Sequence, residues 1–268
     1  MPRHTAELWN QLQHAGGVLV TVVSVQGSGP REVGAWMAVF PQTLVNTIGG
    51  GHLEFQAIAE ARGLIGSGRQ DGALLNRYAL GPALGQCCGG VVYLKFEHIS
   101  QTDMPMLRQR LPSQAKPVAL FGGGHVGHAL VNVLSNLPFQ VQWIDSRDEI
   151  FPAQLPANVV CDHSDPVHAA VEALPSGASV LIMSFSHAED LDVVAACLKR
   201  QSLQGDLNFV GLIGSKTKWA TFQHRLEAKG FSAQEMAFIT CPIGVEGITG
   251  KEPEVIAVAV AAQLLQQH

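Results

Sequence analysis

Two adjacent cysteines stand in a segment of the chain that is unusually rich in glycine. The segment, residues 81–90, has the sequence GPALGQCCGG, in which Gln86 precedes Cys87 and Cys88. A thiolate is a soft ligand for metals such as molybdenum and a nucleophile that can carry sulfur. Adjacent cysteines are poorly placed to form a disulfide with each other. Two interpretations stay open: functional thiols that meet a ligand, or inert buried thiols, which are the usual fate of cysteine.

A glycine turn at residues 27–31, with the sequence GSGPR, follows a run of β-branched residues that is typical of a strand. Arg31 closes this turn. Its planar guanidinium suits a phosphate group or a pterin carbonyl. The turn is therefore a second candidate segment for ligand binding.

Another glycine turn, residues 48–54 with the sequence IGGGHLE, joins a predicted strand to a predicted helix. Gly50, Gly51 and His52 lie at the start of that helix, where backbone N–H groups form a site for an anion. A structural interpretation is open as well. In that case His52 caps the helix, and Glu54 is a negative charge that the helix N-terminus favours.

A third turn, residues 122–127, has the sequence GGGHVG and fits the dinucleotide-binding pattern G-x-G-x-x-G. It follows a predicted strand at residues 118–121 and opens a predicted helix, which is the context that the pattern requires. Gly122 allows the tight turn, Gly124 lets the backbone approach a pyrophosphate, and Gly127 allows close packing of helix on strand. The pattern predicts a nucleotide or nucleotide-like ligand, against the alternative of a turn that has lost its ligand.

Three polar residues belong to this predicted nucleotide site. Asp145 ends the next predicted strand about 20 residues further on, where an acid that binds a ribose is expected. Arg147 follows it and is a candidate ligand for a 2′-phosphate instead. His125 lies on the first helical turn, where an exposed residue without a chemical role is the more ordinary interpretation.

Two later strand ends point to the same edge of the sheet, because ligands of parallel sheets bind outside the carboxyl ends of the strands. His187 follows one of these strands, and Ser215 and Lys216 follow the other. Ser215 is a candidate helix cap, and Lys216 is either a phosphate ligand or a solvated charge. Lys218 is predicted to be a solvated charge.

The hydrophobic pattern indicates which elements position these residues. Apolar runs predict strands, and apolar residues spaced by three to four positions predict helices. From residue 118 onward the two alternate strictly, which indicates a parallel sheet covered on both faces. The predicted strands cover residues 18–25, 35–40, 44–48, 91–96, 118–121, 141–144, 159–161, 180–184 and 209–213, and the predicted helices cover residues 5–14, 53–64, 104–111, 126–134, 187–199, 216–229 and 252–265.

The predicted fold class is α/β, with an N-terminal α+β domain followed by a Rossmann-like doubly wound parallel-sheet domain. The first domain is placed at residues 1–100, a linker at residues 101–116 and the Rossmann-like domain at residues 117–268. Pro112 and Pro117 mark the boundary, where the hydrophobic pattern weakens.

Composition and charge exclude several classes of protein. The 268 residues include 17 Lys+Arg and 22 Asp+Glu, and 47% are hydrophobic, so a large core is expected and a nucleic-acid-binding surface is not. No apolar run reaches the roughly 18–20 residues of a membrane span. The N-terminal residues lack the apolar stretch of a signal peptide, and the five cysteines include no C-x-x-C pair. These features predict a cytoplasmic protein without nucleic-acid or membrane partners.

The motifs, in their order along the chain, resemble those of the xanthine dehydrogenase accessory protein family (XdhC/CoxI). No single motif is decisive, but their order and coverage, from the first domain to the C-terminal part, make the resemblance specific. The matching motifs are GSGPR with Gly34 and Ala35, IGGG at 48–51, GQCCGG at 85–90, FGGGHVG at 121–127, GLIGSK at 211–216, CPIG at 241–244 and GKEP at 250–253.

The resemblance implies a function that the spacing alone does not give. Members of the family bind the molybdenum cofactor, hold it while a cysteine desulfurase replaces a metal oxygen with sulfur, and deliver it to apo xanthine dehydrogenase. The resemblance therefore implies an accessory factor rather than an enzyme, with Cys88 as the preferred molybdenum ligand and Cys87 beside it. A homodimer is the expected assembly, since a delivery factor has to shield its cargo.

One motif departs from the family pattern. The family often has Thr-His-x-His at a strand end where this chain has SFSH at residues 184–187, so Phe185 replaces the first histidine and His187 remains. Two alternative functions stay open. The first is an NAD(P)-dependent oxidoreductase, based on the turn at residues 122–127 with Asp145, in which His187 is the candidate proton donor. The second is a protein-interaction adaptor with a vestigial nucleotide fold.

Overall fold

The computed structural model describes residues 3–67, 72–80, 89–111 and 115–267. The chain divides into two compact units, and the division lies between residues 112 and 113. Helix α3 (Met104–Arg110), in the segment predicted to be a linker, belongs to the first unit. Its Leu107 is buried, and its Arg110 forms an ion pair with Glu97 at 2.7 Å between Nη2 and Oε2. These contacts extend the first unit past residue 100.

The N-terminal unit is built on an antiparallel sheet. Strand β1 is central, because it pairs with β2 on one side and with β5 on the other. Alternate residues of β1, Val18, Val20 and Val22, enter a core that also contains Leu53 and Ala57 of α2. The elements are α1 (Arg3–His14), β1 (Gly17–Gln26), β2 (Trp36–Val39), β3 (Leu44–Asn46), α2 (Gly51–Ser67), β4 (Leu74–Ala79) and β5 (Val91–Ile99), with the strands in the spatial order β3-β2-β1-β5-β4.

The C-terminal unit is a doubly wound parallel sheet of Rossmann type, which confirms the predicted fold class. Cores lie on both faces of the sheet: Phe121 and Ile182 enter one, and Leu120 and Leu181 enter the other. The spatial order of its six strands is β11-β10-β9-β6-β7-β8. The elements are β6 (Lys116–Phe121), α4 (His125–Leu134), β7 (Phe139–Asp145), β8 (Val159–His163), β9 (Ser179–Ile182), α5 (His187–Gln204), β10 (Phe209–Leu212), α6 (Lys216–Ala228), α7 (Ala233–Met236), β11 (Ile239–Thr240) and α8 (Pro253–Gln266).

The strand order creates a switch point between β6 and β9. After β6 the chain adds β7 and β8 on one side, and it then returns to add β9, β10 and β11 on the other. A short 3-10 helix, Val167–Ala173, lies in the crossover from β8 to β9. Ligands of such sheets bind at the carboxyl ends of the strands near the switch point. The residues that follow β6, β7 and β9 are therefore placed for ligand contact.

The apolar helix α8 belongs to the C-terminal unit. Its Ala257, Val260 and Leu264 are buried in one of the two cores, as the apolar run in the sequence predicted. Within the described ranges no helix is both long enough and apolar enough to cross a membrane.

Candidate functional site

The strand register brings three glycine segments of the N-terminal unit to one edge of its sheet. Gln26 at the end of β1 pairs with Val91 at the start of β5, so the turn after β1 lies beside the segment before β5. β3 ends at Asn46 on the same edge, because β3 runs antiparallel to β2 and β2 runs antiparallel to β1. The glycine turn after β3 therefore joins the other two.

Close backbone contacts fix Leu80 and Gly90, which lie on either side of the two cysteines in the sequence. The Leu80 N–H donates to the Gly90 carbonyl at 2.7 Å. Gly90 has no room for a side chain, since a Cβ there would lie 2.1 Å from the Ser28 carbonyl oxygen. The predicted cofactor residues inside the segment lie outside the described residues, and their assignment stays a prediction: Gln86, Cys87 and Cys88.

Arg31 belongs to the turn after β1 and contacts the start of the turn after β3. Its guanidinium already has an acidic partner, Glu32. Its Nε and Nη2 donate to the Glu32 carboxylate at 3.1 and 2.9 Å, and its Nη1 donates to the Thr47 carbonyl at 3.5 Å. The hydrogen bond from Arg31 lowers the pKa of Glu32 to about 2. The two side chains are 36% and 69% exposed, and exposed pairs add little stability. An anionic ligand can therefore take over this guanidinium at a low cost in free energy.

Three N–H groups of the glycine turn after β3, those of Ile48, Gly49 and Gly50, already have acceptors within the chain. One oxygen of Glu54 accepts from the Ile48 and Gly50 N–H groups, at 2.9 and 3.1 Å, and from the Thr47 hydroxyl. The Gly49 N–H donates to the Thr47 hydroxyl oxygen at 3.0 Å. The Glu54 carboxylate thus occupies the place where an anion would bind. Glu54 lies on the first turn of α2, so its side chain reaches back to the turn after β3. A ligand has to displace Glu54 before Gly50 can bind it.

Gly51 and His52 begin α2, and both are exposed. The His52 Nε2 lies 3.1 Å from the Gln56 Nε2, one turn further along the helix. The 70% exposed Phe55 lies beside it, with ring centroids 6.3 Å apart. His52 therefore contacts side chains of its own helix, and it stands with Phe55 on the surface next to the glycine edge.

The glycine turn after β6 is as tight as its pattern predicted. Gly122 has a φ of 124°, and a Cβ there would lie 2.0 Å from the Met183 carbonyl oxygen. A Cβ at Gly127 would lie 2.1 Å from the Gly122 carbonyl oxygen, so α4 packs directly on the turn. Gly124 faces open space, with no described heavy atom within 4 Å of its Cβ position, and His125 is exposed. Packing thus requires glycine at positions 122 and 127, whereas position 124 leaves room for a ligand.

Asp145, the predicted ribose ligand, ends β7 and is buried. Its Oδ2 accepts from the Gly123 N–H at 2.6 Å, and the Arg147 side chain donates to both of its oxygens at 2.9 Å. Burial acts to raise the pKa of Asp145, but the hydrogen bonds from Arg147 and from two backbone N–H groups outweigh it, so the pKa is lowered. Asp145 is therefore a carboxylate tied to the turn and to Arg147.

The residues after β10 include a helix cap and a buried ion pair. Ser215 accepts from the Lys218 N–H at 3.2 Å and caps α6, while Lys216 is exposed. The prediction of a solvated Lys218 was wrong: its side chain is 12% exposed, and its Nζ donates to Asp190 Oδ2 at 2.6 Å. The same Nζ donates to the Ile213 carbonyl at 2.9 Å. A buried carboxylate on α5 supplies the partner that the local sequence around Lys218 did not reveal.

Two side chains of types that often take part in chemistry, His187 and Cys241, lie at further strand ends of the same edge. His187 begins α5 and is exposed, with its ring edge-on to Phe222 at 6.4 Å between centroids. Cys241 follows β11 and is partly buried. Burial raises the pKa of its thiol, against a smaller opposite effect of Lys218. A raised pKa disfavours the thiolate, which is the form of cysteine that acts as a nucleophile.

Comparison with known proteins identifies the family. Residues 11–79 match the XdhC and CoxI family, and residues 118–264 match the XdhC Rossmann domain. The chain belongs to the XdhC and CoxI family. The resemblance found in the sequence is thereby confirmed.

Two known proteins are similar to this XdhC family chain over nearly all of its length. The uncharacterized protein YqeB of Escherichia coli K12 is 26% identical over 264 residues, which are 95% of this chain and 44% of that protein. This chain thus spans less than half of that relative. A crystal structure described as a xanthine dehydrogenase from Bacillus halodurans has a TM-score of 0.77 and 19% identity, covering 100% of this chain and 96% of that one. This likeness supports the fold.

Each unit of the XdhC family chain brings part of its predicted site together. In the N-terminal unit, Arg31 meets the turn of Gly50, and Ser28 of the same turn as Arg31 meets Gly90 of the cysteine segment. In the C-terminal unit, the turn of Gly122 meets Asp145 and Arg147, while the remaining predicted residues lie at other strand ends: His187, Ser215 and Lys216. Sequence reasoning did not predict that Glu54 binds the turn after β3 or that Lys218 pairs with Asp190. The position of Glu54 on the first helical turn after IGGG was the one visible signal.

Proposed function

We propose that this XdhC family chain is a molybdenum cofactor-binding maturation factor for xanthine dehydrogenase. Membership of the family supports a role in xanthine dehydrogenase maturation. In the proposal, the chain protects the cofactor in the cytoplasm, supports its sulfuration by a cysteine desulfurase and delivers it to the apo dehydrogenase. It does so as a homodimeric accessory factor and not as an enzyme that turns over a small substrate.

The observation that carries the proposal is the meeting of three glycine segments at one edge of the N-terminal sheet. A Cβ at Gly49 would lie 2.5 Å from the Pro30 Cβ, and a Cβ at Gly90 would lie 2.1 Å from the Ser28 carbonyl oxygen, so the turn at residues 27–31 packs closely against the other two segments. A phosphorylated pterin dithiolene that carries molybdenum needs room for a planar ring, donors for a phosphate and a soft ligand for the metal. Gly50 and Gly89 have no described heavy atom within 4 Å of their Cβ positions, which leaves room beside the backbone, and Arg31 offers donors for a phosphate.

The proposal takes the soft ligand from the cysteine segment, as the resemblance to the family implies. It assigns Cys88 to molybdenum, with Cys87 beside it, and assigns Arg31 to the pterin phosphate after its release from Glu32. Glu54 would repel the same phosphate, which directs it to Arg31.

The test is the cargo that the protein retains when it is purified without oxygen from cells that make the molybdenum cofactor. Wild type is expected to hold molybdenum and pterin in equal amounts, measured by metal analysis and by the fluorescence of the oxidised pterin. Cys88→Ala is expected to lose most of both. The matched control Cys161→Ala changes a partly buried cysteine of the C-terminal unit and is expected to keep both. Full retention by Cys88→Ala would refute the cysteine assignment, and a wild type without cargo would refute the proposal.

A further inference from the structure

In the C-terminal unit, the carboxylate of Asp145, which is the predicted ribose ligand, is already bound by groups of the chain itself. Asp145 Oδ1 accepts from the backbone N–H and the Nε of Arg147, both at 2.9 Å. Asp145 Oδ2 accepts from the Gly123 N–H at 2.6 Å and from the Arg147 Nη2 at 2.9 Å. A carboxylate offers about four lone-pair positions, so these four donors fill it. A ribose hydroxyl, which donates to such an acid in dinucleotide-binding domains, finds no free acceptor on Asp145.

Phe185 supports Arg147 in this position. The Arg147 Cζ lies 4.4 Å from the centroid of the Phe185 ring, which is within the range of a cation–π contact. Phe185 is 67% exposed, so most of its ring is available to Arg147 and to solvent. Arg147 follows β7, Phe185 follows β9, and β6 lies between these two strands. The stacked pair therefore crosses the carboxyl end of β6, where the glycine turn begins.

We infer that Arg147 and Phe185 form a gate that closes the ribose position and makes this domain select against adenosine dinucleotides. A dinucleotide has to break the Arg147–Asp145 contact and the stack on Phe185 before its ribose reaches Asp145. A phosphate ester without a ribose diol needs no such rearrangement, and it can still meet the first N–H groups of α4, which have no partner within the helix. The gate concerns the C-terminal unit alone and leaves the assignment of the pterin phosphate to Arg31 unchanged.

Equilibrium binding of NAD to the full chain tests the gate. Arg147→Ala frees two acceptor positions on Asp145. Although it removes a positive charge, it is expected to bind NAD about tenfold more tightly than wild type, or about 1.4 kcal/mol, because hydrogen bonds from the ribose to a charged acceptor become possible. Phe185→Ala keeps the ion pair and is expected to give a smaller gain in the same direction. The double variant Asp145→Asn/Arg147→Ala is expected to lose the gain.

Arg225→Ala is the matched control for the loss of charge. Arg225 is an exposed arginine in the last turn of α6, a helix of 13 residues that begins at the ligand edge of the sheet. Its variant is expected to bind NAD within about twofold of wild type, since salt screens exposed charges beyond about 10 Å.

Two results would overturn the gate. One is equal NAD affinity in wild type, Arg147→Ala and Phe185→Ala, with folding checked by circular dichroism; Phe185→Ala keeps the test valid if Arg147→Ala does not fold. The other is tighter binding of NADP to wild type than to Arg147→Ala, because Arg147 would then be a ligand for the 2′-phosphate. Neither result depends on the molybdenum content of Cys88→Ala, so the gate and the proposed function fail separately.

Discussion

Two lysines that pair with aspartates of α5 differ in burial, and this difference predicts a difference in stability. Lys218 binds Asp190 at 2.6 Å with side chains that are 12% and 3% exposed, whereas Lys229 binds Asp192 at 3.1 Å with side chains that are 47% and 46% exposed. Lys218→Met removes the cation and keeps most of the side-chain volume. It leaves the Asp190 carboxylate buried with the Ser184 N–H, at 2.7 Å, as its donor.

The magnitude follows from the burial. Removing one partner of a buried pair costs about 3–5 kcal/mol, since the other charge stays buried without compensation. Lys218 keeps some contact with solvent, so we expect the lower value, about 3 kcal/mol, in the free energy of unfolding of the C-terminal unit. This loss corresponds to a decrease in Tm of about 6–12 °C for a domain of this size. Lys229→Met, the matched control at the exposed pair, is expected to cost less than about 1 kcal/mol.

Urea unfolding of the full chain measures the free energies, and hydrogen exchange of peptides from α5 and α6 assigns the change to the C-terminal unit. The double variant Asp190→Leu/Lys218→Met is expected to recover most of the lost stability, because no unpaired charge remains. Equal effects of Lys218→Met and Lys229→Met would refute the reasoning from burial. A double variant that is less stable than Lys218→Met would refute the idea that the unpaired charge causes the loss.

Two further predictions concern the turn after β6. Gly122→Ala is expected to cost about 3 kcal/mol, because its Cβ would strain a positive φ and meet the Met183 carbonyl, whereas Gly124→Ala costs less than about 0.5 kcal/mol. Thermal unfolding compares the two variants, and equal decreases in Tm would contradict the packing argument. The stability difference between wild type and Asp145→Asn is expected to shrink at low pH: folding lowers the pKa of Asp145, so its contribution is complete above the unfolded pKa of about 3.9 and is lost as the pH falls through the folded pKa. Urea unfolding from about pH 7 to about pH 3 measures this difference, and a constant value would contradict the linkage.

The elements that the sequence predicted are those whose burial follows a regular pattern. All four residues of β9 are buried, so this strand is a continuous apolar run. The missed elements leave no such pattern. β4 is an edge strand with mostly exposed residues, and α7 and β11 have only 4 and 2 residues, which are too few to show a period. The place of α3 in the first unit rests on the buried Leu107 and on the ion pair between Arg110 and Glu97, and hydropathy does not report the ion pair.

The sequence predicted the parts of the candidate site that depend on steric exclusion. It did not predict which residues form hydrogen bonds with each other. The G-x-G-x-x-G spacing predicts glycine at 122 and 127 for contacts that exclude any side chain, and the structure has those contacts. The partners of Glu54, Arg147 and Lys218 follow from which elements the fold places together. The sequence showed that Phe185 departs from the family pattern, but the stack on Arg147 requires the ends of β7 and β9 to lie on either side of β6.

Both units of the chain bind their own glycine turns with a carboxylate. Glu54 accepts from the turn after β3, and Asp145 accepts from the turn after β6. Unpaired backbone N–H groups are costly where water cannot reach them, so these acceptors stabilise the turns without a ligand. A ligand gains the Gly50 or the Gly123 N–H only by displacing the internal acceptor, which lowers its affinity by the free energy of that displacement. The same free energy is recovered when the ligand leaves. Under the proposed function, this balance favours release of the cofactor to a partner over its permanent retention.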